Sequence, residues 1–206
     1  MNKTTLTTLP AALALALTLG ACGGGDDPGP NPNPNPTPTA SITACFTVDK
    51  AVTFAQTAFN VPSGYVASNR STVEPATYNG EKATRQTFFY PVSATTTYTD
   101  MNYWTVTDSG VRSIAYVDYN GTATPTDWFF PKDMKPKDKV TDSNKIEYTL
   151  VGFETISLAG KTFSNTCHIK VVDPEGNSDE VWYASGYGVI KDVNPNGGVI
   201  QYNGDI

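Results

Sequence analysis

The chain has 206 residues, of which 20 are acidic and 14 are basic, and its formal net charge is −6. The acidic residues are dispersed and no basic stripe is present, so the composition excludes a nucleic-acid-binding protein. Residues 41–206 have the usual size of one folded domain. We expect that domain to follow a signal segment over residues 1–21 and a tether over residues 22–40.

The first 21 residues have the pattern of a secretory signal peptide. Lys3 precedes an apolar run from Leu9 to Leu19, and small residues then precede Cys22. This run is too short for a membrane-spanning helix. The four residues 19–22, Leu-Gly-Ala-Cys, resemble the lipobox of bacterial lipoproteins, which implies that Cys22 becomes the lipidated first residue of the mature chain. An ordinary cleaved signal peptide with an unmodified Cys22 is the alternative.

Residues 22–40 are predicted to be a tether that holds the domain away from a membrane. Prolines alternate with Asn, Thr or Gly from Pro28 to Pro38, which favours extended polyproline geometry. The segment has too few apolar side chains to form a hydrophobic core. At ~3.1 Å per residue, this segment reaches on the order of 40–50 Å. We expect a lipid-anchored location in the cell envelope. Gly23 resembles the residue that follows the cysteine in exported lipoproteins, which implies the outer membrane in a Gram-negative host.

The segment 46–60 has the periodicity of a helix. Four apolar residues recur at i, i+4, i+7 and i+11, and they are Val48, Val52, Ala55 and Phe59. The turn-forming residues 60–64 would end this helix. We therefore predict one N-terminal helix, which packs its apolar stripe across the concave face of a sheet. A strand through residues 52–54 is the alternative.

From residue 84 onward the chain consists of short segments rich in aromatic residues, Val and Thr. The predicted strands are 84–90, 102–108, 111–119, 126–130, 145–158, 161–172, 180–184, 187–193 and 198–203. Short turns connect them, so consecutive strands are antiparallel neighbours. We therefore predict a mainly β fold, a curved antiparallel meander in the form of a half-barrel or clam-like sheet.

Two cysteines remain if Cys22 is lipidated, and an exported protein lies in an oxidising compartment. We predict that Cys45 and Cys167 form a disulfide, with two separate buried thiols as the alternative. Alternation along the strand 161–172 predicts that Phe163 and Cys167 face the core and that His168 faces solvent.

The sequence contains no pattern that identifies an enzyme. A Gly-x-Ser-x-Gly elbow, a His-Glu-x-x-His pair and a phosphate-binding loop are all absent from it. We expect no catalytic residues, no cofactor and no metal, with an enzyme acting on envelope polymers as the alternative. The oxygen-rich run 173–180 does not follow the EF-hand order, which favours a polar hairpin turn over a calcium loop. The Gly-Tyr-Gly segment 186–188 predicts a bend between strands.

Three tryptophans are the candidate ligand contacts, namely Trp104, Trp128 and Trp182. Aromatic side chains that line an open concavity bind apolar ligands or glycans, whereas in a closed domain they form the core. The lysines of the segment 132–139 are interspersed with acids, which favours a solvated loop. The expected partners are the membrane, through the lipid anchor, and an apolar ligand, a glycan or an envelope protein. A structural module that presents loops is the alternative.

Three segments resemble β-rich bacterial envelope lipoproteins of uncharacterised function. They are Phe-Pro-Lys-Asp-Met-Lys at 130–135, the run 151–163 with Cys167 after it, and Trp-Tyr-Ala-Ser-Gly-Tyr-Gly-Val-Ile-Lys at 182–191. Such proteins are similar in outline to the carriers and acceptors of the lipoprotein localisation pathway, in which a curved antiparallel sheet wraps a helix around an apolar cavity. The glycine usual after the Phe-Pro segment is replaced by Lys137-Asp138, which predicts a different turn.

Overall fold

The computed structural model describes residues 40–57, 69–91 and 95–205, which belong to one compact unit, Pro38–Ile206. The helix α1 spans Ile42–Cys45, and the strands are β1 Val52–Thr57, β2 Asn69–Tyr78, β3 Glu81–Pro91, β4 Thr97–Thr107, β5 Gly110–Val117, β6 Ala123–Pro125, β7 Phe129–Pro131, β8 Lys139–Thr141, β9 Glu147–Leu158, β10 Lys161–Val172, β11 Ser178–Ala184, β12 Gly188–Val193 and β13 Val199–Asp205. Within these ranges, no helix is long and apolar enough to span a membrane.

All thirteen strands belong to one sheet, in the order β6-β5-β4-β3-β2-β1-β13-β12-β11-β10-β9-β8, with β7 also paired to β5. The chain enters at the centre of the sheet with β1 and proceeds outward by antiparallel pairings to β6. It then crosses to the opposite edge and returns inward from β8 to β13, which pairs with β1. The predicted fold class, a mainly β curved antiparallel meander, is confirmed.

The sheet must curl, because the connection between its two edges is short. Twelve strands at about 4.8 Å each would make a flat sheet about 50 Å wide. The connection from β7 to β8 consists of residues 132–138, and an extended chain of that length spans at most about 25 Å. The Lys137 amide donates to the Leu150 carbonyl of β9 at 2.7 Å, which fixes this connection. The two halves of the sheet therefore face each other across a concave interior.

The first core cluster fills the closed part of this interior. Phe46 lies at its centre, and its ring contacts the rings of Trp104, Trp128, Phe130 and Tyr183 at centroid distances of 4.4–6.2 Å. The predicted disulfide between Cys45 and Cys167 is confirmed, and it joins α1 to β10. A bridge between residues 122 positions apart stabilises the fold by about 5 kcal/mol in the chain-entropy description.

The helix predicted over residues 46–60 is wrong. The only helix among the described residues, α1, ends at Cys45, and the Ser41 hydroxyl caps its start by accepting from the Ala44 amide at 3.2 Å. Val52–Thr57 is strand β1, whose backbone pairs with β13 along its length and with β2 over its first residues. Residues 58–60 lie outside the described part of the chain. The apolar periodicity of this segment is compatible with a helix and with a strand. Pairing with strands that are distant in sequence selects the strand.

Irregularities in β10 change which of its side chains share a face. A register shift after Phe163 removes it from the alternation that includes Cys167. Phe163 instead packs in a second core cluster, where its ring contacts those of Tyr187 and Tyr202 at 5.2 and 4.9 Å. Cys167 is buried as predicted. The prediction for His168 is wrong, because only 7% of this residue is exposed.

Three strands were not predicted, namely β2, β6 and β8, and β1 was predicted only as the alternative to a helix. β2 carries Glu74 and Pro75 near its centre, and both residue types are depleted in strands. Its pairing with β3 over nine residue pairs outweighs that local preference. Lys137 has a φ of +78°, the left-handed region that favours glycine, so the turn retains a glycine-like backbone although no glycine is present.

Candidate ligand-binding cleft

A partly open cleft of about 400 Å³ lies between the two halves of the curled sheet. Strands β3 to β6 form one wall, and β9 to β11 with the loop before β9 form the other. Phe46 and Trp104 form its floor, where both side chains are almost completely buried. The Trp104 indole donates to the Phe46 carbonyl at 2.9 Å, which fixes this floor. The curl that joins the two edges of the sheet therefore also creates the cleft.

The lining combines aromatic and polar side chains and contains few aliphatic ones. Seven of the sixteen lining residues are aromatic, namely Phe46, Tyr103, Trp104, Tyr116, Trp128, Tyr148 and Tyr183. Seven are polar, namely Gln86, Asn102, Ser113, Thr124, Thr126, Asn144 and Asp179. Among the described residues that line the cleft, only Ile146 and Val171 are aliphatic, and none is a lysine, arginine or histidine. The cleft thus offers flat apolar surfaces together with hydrogen-bonding groups.

Trp128 is held at the edge of the cleft by an aromatic stack. Its ring lies 4.3 Å from that of Phe130 in a stacked arrangement and 5.8 Å from that of Tyr148. The Tyr148 hydroxyl donates to the buried Asp142 carboxylate at 3.3 Å, and burial raises the pKa of Tyr148 well above its ordinary value. Trp128 is half-buried, so one part of its ring supports the core and the other remains available to a ligand.

Three carboxylates lie in or beside the cleft. Asp179 lines it from β11, and burial raises the pKa of this carboxyl, as does Asp173 to a smaller extent. Asp192 on β12 interacts electrostatically with Asp179, and burial followed by this repulsion raises the pKa of Asp192 to about 6. Asp100 on β4 accepts a hydrogen bond from the lining residue Tyr116, and burial raises its pKa too. The electrostatic character of the cleft is therefore negative.

The tyrosines near these carboxylates remain protonated. Burial and then Asp100 raise the pKa of Tyr116 to about 12. Burial and the nearby Asp192 also raise the pKa of Tyr183. These hydroxyls therefore act as hydrogen-bond donors and acceptors throughout the physiological range, and they add no further negative charge.

The structure brings together two of the three tryptophans proposed as ligand contacts. Trp104 and Trp128 both line the cleft, and the ring of each contacts the ring of Phe46. Trp182 lies elsewhere: it is 8% exposed and belongs to the second core cluster. Its ring stacks on that of His168 at 4.1 Å, and the Lys191 ammonium lies 4.4 Å from its centroid. Trp182 therefore has no free face for a ligand of the cleft.

The remaining candidates have structural surroundings or lie outside the described residues. The Asp173 carboxylate accepts from the Asn177 backbone and side-chain amides at 2.8 Å, and so closes the hairpin turn between β10 and β11. Gly186 and Gly188 have φ of +83° and +68° and form the predicted bend before β12. Cys22, the predicted lipidation site, lies outside the described residues.

Sequence reasoning missed the carboxylates of the cleft. Asp192 pairs with Val181 across two strands, and both residues lie on the face that carries Tyr183. The signal was a carboxylate within a predicted strand, at a position where alternation with neighbouring apolar residues suggests burial. An irregularity in β12, where Ile190 has no partner opposite Trp182 and Tyr183, obscured that alternation. Asn102 and Tyr116 are paired directly across β4 and β5, which no local pattern reveals.

The chain matches no protein-family model, no curated protein and no solved structure. A functional conclusion therefore depends on the residues of the cleft and on the N-terminal sequence.

Proposed function

We propose that the chain is a lipid-anchored, non-catalytic protein of the cell envelope whose cleft binds a small glycan. The observation that carries this proposal is the lining of the cleft, which has as many aromatic as polar side chains and only two aliphatic ones. Its volume of about 400 Å³ falls within the range of about 300–1,000 Å³ that is usual for small-molecule sites.

The lining favours a saccharide over an acyl chain. The C–H face of a pyranose ring packs on aromatic rings such as Trp128 and Tyr183, and its hydroxyls require nearby donors and acceptors. Asn102, Asn144 and Asp179 supply such groups within the same cleft. An acyl chain would leave these polar groups without partners after displacing water, which costs roughly 1–3 kcal/mol for each group. We therefore propose a glycan as the ligand.

The anchor is proposed from the N-terminal sequence. The lipobox-like residues at 19–22 and the proline-rich segment after them support lipidation of Cys22 and a tethered domain in the envelope, at the outer membrane in a Gram-negative host. A single acyl chain binds a membrane weakly, so stable attachment requires more than one chain.

Binding can be tested with cellobiose as the probe and the full-length chain purified in a detergent that has no sugar headgroup. We expect cellobiose to bind the wild type in a calorimetric or NMR titration, and Trp128→Phe to weaken binding about fivefold through loss of aromatic contact. Trp182→Phe is the matched control, because Trp182 lies outside the cleft, and its affinity should be unchanged. Absence of binding to the wild type, or equal weakening in both variants, would contradict the proposal.

The anchor can be tested by metabolic labelling with a palmitate analogue. We expect the wild type to incorporate the label and Cys22→Ser to lose it, because the thiol of Cys22 is the proposed attachment point. Detection of both proteins with an antibody controls for expression. Equal labelling of the two would show that Cys22 is not the lipidated residue.

A further inference from the structure

Two exposed tyrosines stack on each other at the start of β4. Tyr98 is the second residue of that strand, and Tyr119 lies in the turn between β5 and β6. Their ring centroids are 4.5 Å apart, yet Tyr98 is 41% exposed and Tyr119 is 53% exposed. Stacking covers one face of each ring and leaves a large aromatic surface in contact with water.

The Asp100 carboxylate connects this tyrosine pair to the cleft. It accepts one hydrogen bond from the side chain of Tyr116, which lines the cleft, and another from the Tyr119 backbone amide. Hydrogen bonds to an ionised acceptor are stronger than those between neutral groups. They fix the turn that carries Tyr119 against β4, so the tyrosine pair has a set position relative to the cleft.

The tyrosine pair and the cleft lie along one face of β4. Tyr98, Asp100 and Asn102 occupy alternate positions of this strand, whose pairing with β3 has no register shift, so their side chains point to the same side. Asn102 lines the cleft. Four residues of strand place Tyr98 about 14 Å from Asn102, at about 3.4 Å per residue. This distance exceeds the width of one sugar ring, so a ligand that contacts both must have several rings in line.

We infer that the ligand is a linear β-1,4-linked oligosaccharide, whose inner unit occupies the cleft and whose outer units follow β4 and pack on the Tyr98–Tyr119 pair. This inference rests on the proposed function and names its ligand class. A β-1,4-linked chain is extended, as is the strand that it follows, whereas an α-1,4-linked chain coils away from a straight path. The C–H faces of its outer rings cover the exposed tyrosine surface, as the inner ring covers the aromatic lining of the cleft. The tyrosine pair therefore selects for chain length.

Two sugars of the same linkage but different length test the inference, namely cellobiose and cellopentaose. We expect the full-length wild type to bind cellopentaose about tenfold more tightly, because the longer sugar adds aromatic contacts outside the cleft. A longer chain also offers more positions for binding, so the decisive comparison is between variants. Tyr119→Ala should weaken cellopentaose binding about fivefold and leave cellobiose binding unchanged, while Tyr119→Phe retains the ring and the wild-type affinities. Unchanged cellobiose binding also shows that the cleft of the variant is intact.

Phe129→Ala is the matched control. It removes another exposed aromatic ring, one that alternates along β7 with the buried Phe130 and so points away from the core, and both affinities should stay at their wild-type values. Equal affinity of the wild type for both sugars would overturn the inference and leave the proposed function in place. An undiminished preference in Tyr119→Ala, or an equal loss for both sugars, would also overturn it. Binding of neither sugar to the wild type would overturn the inference and the proposed function together.

Discussion

Asp179 and Glu180 are neighbours on β11, yet their carboxylates have opposite surroundings. Glu180 lies 2.6 Å from the His168 imidazole, and Glu154 lies 2.8 Å from the other ring nitrogen of the same histidine. Trp182 stacks on that imidazole and donates to Glu154 at 3.0 Å. Asp179, by contrast, lines a cleft whose other described lining residues include no cationic side chain.

The two sites differ in what their polar groups do for the fold. The hydrogen bond from Trp182, followed by the His168 contact, lowers the pKa of Glu154, so its ionised form stabilises the native state. Burial raises the pKa of Asp192, so its ionised form destabilises the native state. The polar groups around His168 therefore contribute to stability, whereas the charge of Asp192 opposes it. This contrast agrees with our proposal that the cleft, and not the His168 cluster, binds a ligand.

The larger expected effect on stability concerns the hydrogen-bonded cluster of His168, Glu154, Glu180 and Trp182. His168→Ala leaves Glu154 and Glu180 without their shared partner and uncovers the Trp182 ring, so we expect the free energy of unfolding to fall by about 2–3 kcal/mol. Urea denaturation at neutral pH measures this loss. His168→Gln retains a donor to one carboxylate and should lose less.

The lowered pKa of Glu154 makes this loss of unfolding free energy depend on pH. Because the folded-state pKa of Glu154 is lowered, its contribution is present above the unfolded-state pKa and disappears as the pH falls through the folded-state value. The difference between wild type and His168→Ala should therefore shrink in acid. A difference that stays constant down to about pH 3 would contradict this account of the cluster.

The smaller effect has the opposite sign and concerns the cleft. Asp192→Asn should stabilise the unliganded protein by about 1–2 kcal/mol at neutral pH, because it removes a partly buried charge that has no cationic partner among the described residues. Since the folded-state pKa of Asp192 is raised to about 6, wild-type stability attributable to this group is full below about pH 4 and is lost as the pH rises through 6.

This prediction can be tested by thermal unfolding of the wild type and of Asp192→Asn, measured from about pH 4 to above pH 6. The two curves should coincide near pH 4 and separate above pH 6, with the variant more stable. Asp133→Asn, which alters an exposed carboxylate, should follow the wild type at every pH. If Asp192→Asn is less stable than the wild type at neutral pH, Asp192 has a structural partner and the contrast between the two regions fails.

Local sequence patterns correctly predicted the strands whose residues have a local preference for the strand conformation. Alternating aromatic and β-branched residues with short turns located β9 to β13 to within a few residues, because hairpins depend on contacts close in sequence. β2 was missed, since it contains Glu74 and Pro75, and β1 was only the alternative prediction, since its residues have a helical periodicity. Pairing with β13 and β3 overrides those preferences, and it is a property of distant residues.

The cleft could be predicted only in part. The sequence identified aromatic residues as candidates, and two of the three tryptophans do line the cleft. It gave no reason to separate them from Trp182, because the separation depends on β11 residues alternating between two faces and on a bulge beside Tyr183. The carboxylates were missed for the same reason. Their burial follows from the curl of the sheet, which brings β4 and β12 toward one interior.

The sequence by itself predicted the strand-rich architecture from local periodicity. It also predicted the pairing partner of Cys45, given the expectation that the chain is exported and that Cys22 is lipidated. It also carries the N-terminal pattern from which the anchor at Cys22 is proposed. Only the tertiary structure decided which side chains share the cleft. The curled sheet joins β7 to β8 through residues 132–138 and brings Asp179 into one cleft with aromatic rings from the opposite half of the sheet. A site formed between distant strands has no local signature, because its contacts exist only once the sheet has closed.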